Sequence, residues 1–189
     1  MSLATVLIVP GLRDHVEAHW QTLLAARLEA AGQPVHTVPP MGRADLSCAA
    51  RVEAIEQAVA GIDGEPILVA HSGGCIMVAH WAQQSRRPVQ GVLMATPPDF
   101  EEAMPQGFPT LDELGQAGWL PVPRGPLPFP SIAAISSNDP LGRLARVEEL
   151  ALGWGSHIVP LGEVGHLNPA SGYGEWRLAE GLIAALRVS

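Results

Sequence analysis

The chain has little cysteine and little positive charge. Its two cysteines, Cys48 and Cys75, stand far apart and show no metal-type spacing. That pattern excludes a disulfide scaffold and leads us to expect free thiols in a reducing, cytoplasmic setting. Eleven basic residues face 19 acidic ones, for a net charge of −8. This balance argues against nucleic acid or an anionic membrane as the main partner. No apolar run approaches the roughly 18 residues of a membrane span. The opening Met1-Ser2-Leu3-Ala4-Thr5 has neither the basic region nor the long apolar core of a secretory signal. Internal repeats and low-complexity tracts are absent. What is present is ordinary for a globular chain: 47% hydrophobic residues over 189 positions. One domain of that length buries roughly 70% of its unfolded surface.

Short apolar runs alternate with helix-like stretches along the chain. Residues 5–9 are followed by a helix over 16–31, and 35–38 by a helix over 47–60. Residues 67–70 precede a helix whose amphipathic part is 76–84, and 91–95 come next. Then follow 132–136 with a helix near 141–152, and 156–160 with a helix over 175–186. Such alternation predicts an α/β fold with a mostly parallel sheet covered on both faces. Right-handed crossovers then give a three-layer α/β/α sandwich of about six strands, with order 2-1-3-4-5-6. Residues 97–130 break the rhythm, being dense in Pro and Gly and carrying Phe100, Phe108, Trp119 and Phe129. A stretch of that length is read as a lid or flap inserted over the carboxyl ends of the strands, within a single domain spanning 1–189. An ordered surface flap without substrate contact is the plainer alternative.

The most informative stretch is Pro66-Ile67-Leu68-Val69-Ala70-His71-Ser72-Gly73-Gly74. A buried strand that ends abruptly in Ser-Gly-Gly and runs straight into a helix has the layout of a nucleophile elbow. The turn is tight enough to force small neighbours, and Gly74 occupies the place where a side chain would collide with the preceding strand. Ala70 replaces the first glycine of Gly-x-Ser-x-Gly. Ser72 is thus the candidate nucleophile. It could instead only cap the helix, or the glycines could cradle a phosphate. The turn lacks the lysine of a P-loop and the glycine spacing of a dinucleotide fold, which weakens nucleotide binding.

A nucleophilic serine needs a base, and the base needs an orienting group. His166, in Gly165-His166-Leu167-Asn168, follows the last strand on the edge that carries Ser72. An imidazole titrating near pH 6.5 can take and return a proton at neutral pH. Asp139, in Ser136-Ser137-Asn138-Asp139-Pro140, follows the preceding strand on the same edge. Asp before Pro is also a good helix N-cap, and both roles are compatible. Asp99, one strand earlier, is the rival acid. The chain order Ser72, Asp139, His166 is that of α/β-hydrolases. Oxyanion donors are expected from the backbone of Gly73 and of Leu12, in the loop that Gly11 lets approach the site. Gly11, Arg13 and His71 near the nucleophile, with Trp119 from the 97–130 segment, are the candidate substrate contacts. His15 and His19, with Glu17 between them, could suggest metal ligands, but no third ligand is evident and no metal or other cofactor is expected.

With these pieces in place the chain resembles the small α/β-hydrolases grouped with retinoblastoma-binding protein 9. The resemblance covers nearly the whole length. It rests on Val9-Pro10-Gly11 with His19-Trp20, on Ala70-His71-Ser72-Gly73-Gly74, on Ser137-Asn138-Asp139-Pro140 and on Gly165-His166-Leu167-Asn168. It implies a compact, cofactor-independent serine hydrolase with Ser72, Asp139 and His166 as its triad, and a structural or site-lining role for Trp20. Arg13, Asp14 and His15 stand where bacterial relatives tend to carry Gly and Ser. Leu46-Ser47-Cys48-Ala49-Ala50 lacks the acidic residue of Leu-x-Cys-x-Glu, so the resemblance brings no pocket-protein interaction with it. The expected activity is cleavage of a small ester, amide or related acyl compound. An acyltransferase or carbon–carbon hydrolase would use the same triad. The rival from another class is a hydrolase-like fold acting as a ligand- or protein-binding module with little turnover.

Overall fold

The computed structural model describes residues 3–13, 16–42 and 44–187. Six strands form one sheet: β1 (Val6–Val9), β2 (Val35–Thr37), β3 (Ile67–His71), β4 (Gly91–Ala95), β5 (Ser131–Ile135) and β6 (His157–Pro160). Their order is β2-β1-β3-β4-β5-β6, as the alternation of runs predicts, and every pairing is parallel. The register pairs Val9 with Ala70, His71 with Ala95 and Ala95 with Ala134. The loops that follow β1, β3, β4 and β5 therefore leave the sheet side by side at its carboxyl edge.

The period-2 geometry of a strand sends alternate side chains to opposite faces. Leu7, Val9, Leu68, Ala70, Val92 and Met94 pack on one face with α2 (Cys48–Ala60) and α3 (Gly73–Gln84). On that same side of β5, Ala133 and Ile135 meet α5 (Leu144–Gly153). Val6, Ile8, Ile67, Val69, Leu93 and Ala95 face the other way, against α1 (Trp20–Ala30) and α6 (Leu178–Leu186). Three layers result, with the inner strands buried on both faces. This is why those strands read as continuous apolar runs.

Helix starts differ from the expected ones because side chains or turns claim the first residues. His19 caps α1, its ring nitrogen accepting from the Gln21 N–H at 3.2 Å, so the helix begins at Trp20 and not at residue 16. Ser47 caps α2 in the same way through Ala50 N–H at 3.2 Å. The expected α5 start near residue 141 is occupied by a turn: Asp139 Oδ1 accepts from Leu141 N–H at 2.9 Å, and the helix begins at Leu144. Asp139 thus holds an Asx turn and is not the helix cap. α6 begins at Leu178, three residues after the expected start.

The 97–130 segment contains a helix that periodicity does not announce, α4 (Leu111–Gln116). Its start carries a capping box: Thr110 Oγ1 accepts from Glu113 N–H, and the Glu113 carboxylate accepts from Thr110 N–H at 2.7 Å. The rest of the segment is packed down. Phe100, Leu114, Trp119 and Val122 are buried in the core that α2 and α3 share. Trp119 Nε1 donates to Leu46 O at 2.7 Å, and Trp154 Nε1 donates to Pro123 O at 2.8 Å. Arg146 of α5 pairs with Asp99 at 3.0 Å and with Glu101 at 3.3 Å, and Arg124 pairs with the same Glu101. Trp119 is fully buried. Trp119→Ala is expected to lower the unfolding free energy by about 3–5 kcal/mol, from lost transfer energy plus the cavity left behind. Urea denaturation followed by circular dichroism checks this, and a loss below about 1 kcal/mol would show that the indole does not anchor the segment.

Candidate active site

Ser72 leaves β3 with φ 56° and ψ −132°, in the left-handed half of backbone space that residues with a Cβ rarely adopt. Such a conformation costs about 1–3 kcal/mol and persists only where its surroundings over-determine it. Here they do. Ser72 N–H donates to Ala95 O of the neighbouring strand at 3.0 Å. A Cβ on Gly74 would lie 2.5 Å from Val9 O and 2.7 Å from Pro10 O, so only glycine fits. The collision expected at Gly74 is thus with the end of β1, the neighbouring strand, and not with β3, which leads into the turn. Helix α3 starts at Gly73, directly after Ser72, and not at the amphipathic stretch three residues later. The N–H groups at its start have no acceptor within the helix.

The loop after β1 closes over this turn. A Cβ on Gly11 would sit 3.1 Å from Ser72 Cβ, which places that backbone directly against the serine. The side chains of Leu12 and Phe100 fill the space above Gly73, where a Cβ would meet them at 2.8 and 3.3 Å. The backbone amides of Leu12 and Gly73 therefore belong to segments that meet at Ser72 under an apolar roof.

His166 and Asp139 complete a continuous chain of hydrogen bonds. The Asp139 carboxylate accepts from His166 Nδ1–H at 2.8 Å. Because a carboxylate can only accept, this bond sets the tautomer and leaves His166 Nε2 free to accept the Ser72 hydroxyl proton at 2.7 Å. The imidazole and carboxylate side chains are only 7% and 4% exposed, so the pair is shielded from water. Asp99, the rival acid, is turned away: its carboxylate accepts from Arg146 and from Glu101 N–H.

The backbone of His166 is held from all sides, by residues that motif reading does not single out for that task. Its carbonyl oxygen accepts from His71 Nε2–H at 3.0 Å and from Thr96 Oγ1–H at 3.4 Å. Its own N–H donates to Ser171 Oγ at 3.0 Å, and Gly165 N–H donates to Asn138 Oδ1 at 2.7 Å. Thr96 and Leu167, on either side of this contact, both adopt positive φ. Asn138 lies within the quoted Ser-Asn-Asp-Pro motif, so its neighbourhood carried a signal; Thr96 and Ser171 carried none. Gln21 carries no sequence signal either. Its side-chain amide donates to Val9 O and Val69 O, tying α1 to the ends of β1 and β3 beneath the site.

A cavity of about 970 Å³ opens above Ser72, at the upper end of the size range that takes a small organic ligand. Gly11, Arg13 and His71 contribute to its wall, as expected. Trp119 does not; its ring lies one layer below, edge-on to Phe100 at 5.5 Å. Arg13 stacks on Phe108 at 4.0 Å and donates to Gly107 O, bridging the β1 loop and the 97–130 segment at the cavity mouth. Trp20 is buried between His71 and Trp176. Of the suggested metal pair, His15 lies outside the described residues, and His19 spends its Nδ1 on the α1 cap. Among the described residues, no group of three or more His, Cys, Asp or Glu is placed to hold a metal ion.

Burial, with the nearby imidazoles of His166 and His19 acting in the same direction, holds His71 well below the usual histidine range. The bond to His166 O opposes this and is outweighed. His71 is therefore neutral in the folded protein. The unfolded chain binds a proton at this position from about pH 6.5 downward, whereas the folded chain resists it. Stability from this source is full above about pH 6.5 and is lost progressively as the pH falls below it. Half-buried His80, lowered by desolvation, adds the same sign. Melting temperature is thus expected to drop between pH 7.5 and pH 5, and to drop less in His71→Gln. An equal pH dependence in both proteins would remove His71 as the source.

A family model described as serine hydrolase matches residues 6–185 of the chain. Among solved structures, a YdeN-like hydrolase from Pectobacterium atrosepticum superposes with a TM-score of 0.81 at 26% identity, covering 98% of this chain and 91% of that one. The ydeN gene product of B. subtilis gives 0.76 at 15% identity, with 98% and 100% covered. A monoacylglycerol lipase from Paleococcus ferrophilus gives 0.72 at 15% identity, with 99% and 96% covered. No curated protein gives a significant match by sequence. Among the described residues no helix is long and apolar enough to cross a membrane.

Proposed function

The chain belongs to the serine hydrolase family, and from that premise we propose that it cleaves a small ester, amide or related acyl substrate through Ser72, His166 and Asp139. The single observation that carries this reading is the relay Ser72 Oγ–His166 Nε2 at 2.7 Å and His166 Nδ1–Asp139 at 2.8 Å, beneath a cavity. Within the family, the His19-Trp20 pair and the Ser137-Asn138-Asp139-Pro140 and Gly165-His166-Leu167-Asn168 motifs support reading the chain as one of the members that resemble retinoblastoma-binding protein 9.

The reaction runs in two halves. Ser72 Oγ attacks the substrate carbonyl carbon while His166 Nε2 takes its proton, and Asp139 stabilises the imidazolium that forms. The carbonyl oxygen, now negative, is held by the N–H groups of Gly73 and Leu12. The tetrahedral intermediate collapses, and the leaving group departs with the proton from His166. Water then enters, loses a proton to the same imidazole and attacks the acyl-enzyme. The carboxylic acid leaves and Ser72 regains its hydrogen. Every proton and electron pair in this sequence is carried by groups of this chain, the substrate and water, so no cofactor takes part. The 97–130 segment walls the cavity as a flap of a single domain spanning 1–189. The buried, unpaired thiols of Cys48 and Cys75 fit a cytoplasmic setting.

The test is labelling with a fluorophosphonate probe, read by mass spectrometry, alongside ester hydrolysis. An adduct on Ser72 is expected in the native protein and in neither Ser72→Ala nor His166→Ala. Ser72→Ala should lower kcat by a factor on the order of 10⁶. A folded native protein that takes no label would turn the reading toward a binding module, and a fully active Ser72→Ala would move the nucleophile elsewhere.

A further inference from the structure

The cavity straddles the carboxyl edge of the sheet, and its two sides differ in chemistry. On one side the wall is Leu46, Phe100, Met104 and Ala117, which all pack with the core between the sheet and the α2–α3 layer. On the other side stand His166, His19 and Asn168, with Val16, Pro169 and Ala170 beside them, so this wall carries imidazole and amide groups among apolar ones. His19 caps α1, and Leu167, the neighbour of His166, is buried in the core between the sheet and the α1–α6 layer. Ser72, at the end of β3, lies between the two. The charged wall residues Arg13 and Glu113 are exposed at the mouth and belong to neither depth. The apolar side begins at the reacting centre itself: the tip of Phe100 would sit 3.3 Å from a Cβ on Gly73. Its ring is held in place by the edge-on contact with buried Trp119.

The chemistry assigns a direction to this asymmetry. The atom that leaves the tetrahedral intermediate must receive its proton from His166 Nε2, so the leaving group occupies the His166 side. The acyl chain is the remaining carbon substituent and extends to the opposite side. Resting on the serine-hydrolase reading above, we propose that this enzyme selects an apolar acyl chain, seated against Phe100, Met104, Leu46 and Ala117, with the smaller leaving group on the His166 side. Each methylene buried in the apolar arm raises kcat/KM by about fourfold until the arm is full.

Two isomeric esters test the direction without any change to the protein. Ethyl hexanoate and hexyl acetate have the same atoms and nearly the same hydrophobicity, but place the long chain on opposite sides of the carbonyl. Ethyl hexanoate is expected to be hydrolysed with a kcat/KM at least about tenfold higher. Equal values, or faster cleavage of hexyl acetate, would overturn the proposal. Ala117→Phe places a ring inside the apolar arm and should lower the ratio of ethyl hexanoate to ethyl acetate hydrolysis. An unchanged ratio in a folded variant would remove Ala117 from the arm and overturn the seating proposed here. Fluorophosphonate labelling of Ser72 in the same samples separates the two levels. A labelled enzyme with the reverse ester preference loses only this inference, whereas an unlabelled one loses the hydrolase reading and this inference with it.

Discussion

Two consecutive residues at the end of one strand grip His166 at two points. His71 donates to its carbonyl oxygen and Ser72 to its ring nitrogen, at 3.0 and 2.7 Å. Both donors issue from β3, the strand flanked by β1 and β4 deep in the sheet. The distance between hydroxyl and imidazole is therefore referenced to a rigid element and not to the His166 loop alone. A site that must hold its geometry to within about half an ångström gains from such support. The neutrality of His71 belongs to the same arrangement, since a charged imidazole there would be buried between two other imidazoles.

The strain at Ser72 is the counterpart of that grip. A serine at positive φ is disfavoured on its own, yet the alternatives are closed by backbone contacts on either side: Gly74 against Val9 and Pro10, and Gly11 against Ser72 itself. The contacts at Gly74 are with main chain, and the nearest one at Gly11 is with Ser72 Cβ, which the backbone fixes, so neither relaxes by rotating a side chain. The elbow is consequently a property of three strands meeting at one edge. Its glycines are required because they let those strands approach.

Residues 97–130 form the other half of the site. The segment is bound at several places by contacts of different kinds: the Trp119 indole to Leu46, the Trp154 indole to Pro123, and the charges of Arg146 and Arg124 around Glu101. Its apolar residues extend the core beneath α2 and α3 upward into the cavity wall. Phe100 lies against Gly73, the residue after Ser72, on one side and against Trp119 on the other, so the cavity wall and fold stability share the same packing.

Much of this was open to reading from the chain alone. The strand runs, the sheet order and the elbow follow from local rules: apolar runs bounded by Gly and Pro, alternation with helices, and a serine set between small residues. The positions of Ser72, Asp139 and His166 along the chain follow too, because each comes directly after a strand and parallel strands deliver such loops to one edge. The capping box at Thr110 and Glu113 is equally local, but it sits among Pro and Gly that read as irregular structure. What the sequence determined by itself was therefore which residues arrive at the site's edge. Tertiary structure alone decided that the rival acid Asp99 turns to Arg146, and that Trp119 supports the cavity from below. It also set the backbone hold on His166 through Asn138, Thr96 and Ser171, and brought Phe100 and Met104 to the cavity wall. These features depend on contacts between segments tens of residues apart, whose distances are set by how the layers pack and leave no periodic trace in the sequence.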